Sequence, residues 1–90
     1  MPMETAAVGY TPVGFLQMNP TVATPLGPIP TGARIAIINA VGALSWRDDG
    51  VAPTATVGML VATGGTFQYT GNLSALQLIS AAAVNISFYR

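Results

Sequence analysis

The chain has 90 residues, 51% of them apolar and 7% charged, with no histidine, no cysteine and zero net charge. That length suits one small domain. The missing residue types exclude disulfides, sulfur metal sites, thiolate nucleophiles and imidazole general bases. The charged residues are Glu4, Arg34, Arg47, Asp48, Asp49 and Arg90, and three scattered arginines do not make the basic stripe that neutralises phosphates, so nucleic acid is not an expected partner. An ordinary soluble surface is about a quarter charged. A surface this poor in charge points to one covered by copies of itself, as a trimer or dimer, or by a larger assembly.

The opening "MPMETAAVGY" lacks the basic start and apolar run of a signal peptide. "IAIINAVGAL" is too short and too interrupted to span a bilayer. The expectation is a soluble chain made without an export signal, with no membrane partner. Proline then sets the tone: Pro2, Pro12, Pro20, Pro25, Pro28 and Pro30 precede Ala33, and only Pro53 follows it. That spacing forbids helices and interior strands while allowing extended edges and rigid turns. Residues 1–12 therefore read as an extended arm and 13–90 as the folded domain. Val13–Met18 and Thr21–Leu26 are edge-strand candidates, and "GPIPTGA" is a corner leading into the first central strand.

From Ala33 the chain alternates short apolar runs with Gly, Asp and Asn. "ARIAIINA" is bulky on both parities, as in a strand covered on two faces. "GALSW", "ATVGMLVA", "TFQYT" and "SALQLIS" follow, and "AVNISFY" sets Val84, Ile86 and Phe88 against Asn85, Ser87 and Tyr89. Eight short strands at this spacing predict an all-β fold, a small antiparallel β-sandwich or jelly-roll-like barrel. The competing reading is a helix over "LSALQLISAAAVNI", where Leu73, Leu76 and Ser80 share a helical face. The absence of Glu or Lys on any solvent face of that segment weighs against it. Gly64 and Gly65 in "TGG", and Gly71 in "TGN", read as hairpin turns rather than phosphate loops, since neither is followed by a helix or a lysine.

Little in the chain could carry catalysis. Asp48 and Asp49 are adjacent, so on an extended strand they point to opposite faces, and the only other acid is Glu4 in the arm. Two facing carboxylates of the glycosidase kind are therefore absent. The same two acids with the carbonyls of the Gly50 turn would make at best a weak calcium site, and no cofactor or metal is expected. Half of the charged residues lie in "SWRDDGVAPTAT". There Trp46 is expected to seal one end of the core, and Asp48 or Asp49 to cap the turn that Gly50 allows. Pro53 is expected to stiffen the exit. Arg47 either pairs locally with an aspartate or reaches an aspartate of an adjacent subunit, where desolvation would make the geometry selective. Tyr10, Phe15, Arg34 and the Trp46–Asp49 run are the candidate partner-binding residues.

Five motifs together resemble a family of small tailed-bacteriophage virion proteins. They are the Pro-x-Gly-Ala corner at Pro30–Ala33, the Trp/Arg-Arg-Asp-Asp-Gly-x-x-Pro-Thr loop at Trp46–Thr54, Val-Gly-Met at Val57–Met59, the glycine turn at Gly64–Gly65, and the closing Asn-x-Ser/Thr-Tyr-Tyr strand at Asn85–Tyr89, with Phe88 at the first tyrosine position. The resemblance covers about two thirds of the chain, and its most specific part is the loop. It departs at the apolar "AAAV" and in the proline-rich amino-terminal part. The resemblance implies a non-enzymatic virion component, with the major capsid protein or another virion protein as partner. A capsid decoration or cement protein comes first, a tail or connector component second, and a receptor- or carbohydrate-binding module behind both.

Overall fold

The computed structural model describes residues 10–90. Eight strands form in chain order: β1 (Pro12–Met18), β2 (Thr24–Pro25), β3 (Ile35–Ala40), β4 (Leu44–Arg47), β5 (Met59–Val61), β6 (Thr66–Tyr69), β7 (Gln77–Ser80) and β8 (Val84–Tyr89). They make two antiparallel four-stranded sheets, β1-β8-β3-β6 and β2-β7-β4-β5. The pairing has a simple rule: β1 meets β8, β2 meets β7, β3 meets β6 and β4 meets β5. The chain is thus one long antiparallel ribbon rolled onto itself, and the contacts β3·β8 and β4·β7 close the roll into two layers. This is jelly-roll order, laid out as a sandwich of two open sheets rather than a closed barrel.

The period-two pattern explains why the layers bury what they do. Ala36, Ile38 and Ala40 on β3 and Val84, Ile86 and Phe88 on β8 point inward, facing Leu44 and Leu78 of the other sheet. Ala36 stands opposite Phe88 in register, and the small side chain leaves room for the ring. On the outer face of β3, Ile35 is buried beside Tyr89 and Ile37 is half-buried between Ser87 and Gln68.

Several boundaries differ from the sequence reading. The domain begins before Val13: Thr11 exchanges two backbone hydrogen bonds with Arg90, at 2.8 and 2.9 Å, and Pro12 already pairs with Tyr89. The remainder of the expected arm, residues 1–9, lies outside the described residues. The strand expected over 55–62 shrinks to Met59–Val61, because Thr54–Val57 closes into a turn of its own. In place of the competing helix there is a single 3-10 turn at Leu73–Ala75, capped by the Asn72 side chain accepting from the Ser74 amide at 3.0 Å. Leu76, Leu78 and Ser80 then bury with period two. The glycine turns are also not hairpins. β5 and β6 lie in different sheets, as do β6 and β7, so "TGG" and "TGN" carry the chain across the sandwich.

Candidate functional site

The charged loop is built on the end of β4. Trp46 points inward, stacking on Phe67 at 5.5 Å between ring centroids and meeting the edge of Tyr69 at 5.6 Å. Arg47, of opposite parity, forms a two-pronged pair with Asp49, its Nε donating to Oδ1 at 3.0 Å and its Nη2 to Oδ2. Those hydrogen bonds hold the Asp49 carboxyl below its usual range and raise the guanidinium above its own. Arg47 is therefore engaged within its own chain, as the local-pair reading expects. The long Oδ1 contact to the Val51 amide, 3.4 Å, adds a weak cap to the turn that Gly50 makes at φ +85°.

Asp48 goes elsewhere. It accepts from the Tyr69 hydroxyl at 2.8 Å, tying the loop to β6 in the other sheet. Burial, and then this hydrogen bond to a carboxylate, push the Tyr69 phenol up to about 12. The two aspartates thus serve different partners, and among the described residues no group of three acidic, histidine or cysteine side chains gathers as a metal site. Pro53 is buried rather than merely a stiffener at the exit. Thr54 and Val57 exchange hydrogen bonds, and the Ser45 hydroxyl donates to the Val57 carbonyl at 3.2 Å. The loop consequently lies over the outer face of β4 and buries Ser45. Gly58 permits this approach: at φ +143°, a Cβ there would sit 2.4 Å from Ser45 Oγ and 2.9 Å from the Trp46 carbonyl oxygen.

Beside the loop, the outer face of the second sheet forms an apolar groove of about 700 Å³, lined by Ala43, Ala55, Leu60, Ala62, Ile79 and Ala81 among others. None of its lining residues is charged, and Leu60 is 64% exposed. The first sheet presents a different surface. Gln17 donates to Asn85 at 2.9 Å, Asn85 to Asn39 at 3.4 Å and Asn39 to Thr66 at 3.0 Å, one rung on each of its four strands. This amide row crosses the whole sheet in one donor direction. Phe15, 69% exposed, stands in the next row opposite Ser87.

The sequence candidates are therefore not one site. Trp46, Arg47, Asp48 and Asp49 share a shallow cleft with Gly58 and Met59. Arg34, exposed, borders the Thr70–Ser74 turn at a separate groove. Phe15 belongs to the outer face of the first sheet, and Tyr10 is exposed next to Thr11 where β1 meets the end of β8. Gly64 and Gly65 bond to Ala40 at the end of β3 and keep their role as a turn. Sequence reasoning missed Tyr69, Ser45, Gly58 and the Gln17–Thr66 row. Only the alternation in β8 hinted that Asn85 faced outward; its neighbours in the row come from strands distant in sequence. No family model, curated protein or solved structure matches this chain.

Proposed function

We propose that this protein is a non-enzymatic structural subunit of a tailed-phage virion, a decoration or cement protein seated between larger capsid subunits. The observation that carries the proposal is the uncharged groove on the second sheet beside the Arg47–Asp49 pair. An interface core of this kind is depleted of charge and rich in exposed apolar side chains, and here Ala43, Ala55, Ala62 and Ala81 are exposed and Leu60 is 64% exposed. A polar rim lies next to it in Arg47 and Asp49. Their mutual pairing keeps the guanidinium fork oriented, so it can register against a partner carbonyl or carboxylate without leaving Asp49.

The jelly-roll order lends support by analogy only, since capsid domains and lectins both use it and fold alone does not assign function. The sequence resemblance to small virion proteins points the same way. The test is a reconstruction of purified phage particles with and without this gene product. Density lost over capsid seams, with the groove facing the shell, is the expected outcome. Density lost from the tail instead would move the protein to a connector role, and particles of unchanged density would remove it from the virion.

A further inference from the structure

The sandwich has four strand edges, and they are not protected alike. On one side, β1 carries Pro12 and a register irregularity between Pro12 and Gly14, while β2 is two residues long and ends in Pro25. Proline and bulges remove ladder hydrogen bonds, so this side resists strand addition. On the other side, among the described residues, β5 pairs only with β4 and β6 only with β3. Neither strand contains proline or a charged residue, although natural edges are commonly blunted by lysine, proline or a bulge. Between these two edges the Trp46–Phe67 stack is half-buried, and Met59 beside it is 59% exposed.

We propose that the β5–β6 side is a homodimer interface, in which β6 pairs antiparallel with β6 of a second copy across a two-fold axis. The two first sheets become one continuous eight-stranded sheet. β6 is the strand that joins because it offers four residues to the three of β5, and because the amide row ends on it. The register follows from parity. A two-fold axis normal to the sheet keeps both outer faces on the same side, so residues placed opposite each other must share a face. An axis through Phe67 meets that condition and sets Thr66 opposite Gln68 of the partner subunit. Thr66 accepts from Asn39 and so retains its hydroxyl hydrogen. The Gln68 amide oxygen of the partner subunit accepts it, and the row of side-chain hydrogen bonds runs on into the second copy. Beneath it the two Phe67 rings meet and cover the exposed edge of Trp46. No charged side chain on either edge strand opposes this approach.

The inference rests on the reading of the chain as an assembly subunit, and sedimentation equilibrium of the full chain tests it separately. The expected mass is twice 9.2 kDa. Gln68→Lys, at an exposed position, places two cations at the seam and should halve the mass while leaving the far-UV spectrum unchanged. Thr11→Lys, exposed beside β1 at the far side of the same sheet and outside the amide row, should stay dimeric. Emission from Trp46, the only tryptophan, should move to the red when the wild type is diluted and stay fixed in Gln68→Lys. Oxidised Thr66→Cys/Gln68→Cys should form a cross-linked dimer, which checks the register. A monomeric wild type, or a Gln68→Lys that remains dimeric, would overturn the proposal. A monomer still found on particles would overturn the dimer alone and leave the virion role standing, with these edges then serving a strand of the capsid partner.

Discussion

Tyr69 shows how one hydroxyl fastens a loop to a sheet. Its ring is buried, and its proton is shared with Asp48, which comes from the far side of the sandwich. The folded state holds the phenol at about 12, against 10.0 for an ordinary tyrosine. Between those values the unfolded chain gives up the proton while the folded one keeps it, so this stabilisation is complete below pH 10 and is lost as pH rises towards 12. A shift of two units corresponds to about 3 kcal/mol of stability lost across this range. Tyr69→Phe should lower stability at neutral pH by about 1–2 kcal/mol and should flatten the alkaline fall. Urea titrations at pH 7 and pH 11 read both effects, and parallel pH dependence in the variant and the wild type would contradict the assignment. Neither the burial of Tyr69 nor its partner was visible in the sequence, where the two residues stand 21 positions apart; the placement of Phe67 and Tyr69 on one side of a strand follows from the spacing in "TFQYT".

At the level of elements, the long connection from β4 to β5 is the least regular part of the fold and yet is pinned at several points. Asp48 holds it to β6, Thr54 closes its return turn, and Val57 accepts from Ser45 on the face it covers. Gly58 is where it passes closest to the sheet. Gly58→Ala should therefore cost about 2 kcal/mol or more, since the added methyl collides with Ser45 and with the Trp46 backbone. Gly50→Ala, where a Cβ would meet nothing within 4 Å, should cost only the strain of its positive φ, about 1 kcal/mol. Equal losses at the two glycines, measured by chemical unfolding, would show that the close approach carries no weight. The glycine-rich spelling of this region announced a turn, but which glycine was needed for its angle and which for its lack of a side chain depended on the strand beneath it.

For the molecule as a whole, the first and last strands are neighbours, and Thr11 and Arg90 bond to each other. Among the described residues, the roll is closed by the pairing of Thr11 with Arg90 and of β1 with β8. A chain beginning at Tyr10 should unfold at the same urea concentration as the full one. In the proposed assembly it should attach more weakly to the particle, as measured by occupancy after dialysis; undiminished occupancy would take residues 1–9 out of the interface. The surface divides in the same economical way. One side of the sandwich is blunted by Pro12 and Pro25; in the proposed assembly the other side takes the second copy and the apolar groove on the second sheet faces the shell.

The amino-acid sequence by itself determined the all-β class, the approximate number of strands and the alternation of β6 and β8, because side-chain alternation is a local property with a period of two. It also determined what chemistry is missing, since absent residue types cannot be supplied by folding. Tertiary structure alone decided that the glycine turns cross between sheets, that Arg47 and Asp48 take different partners, and that Gln17, Asn85, Asn39 and Thr66 form one row. Those outcomes depend on strand order, and strand order in a rolled ribbon is set by pairing between segments far apart in the chain, which no local pattern encodes.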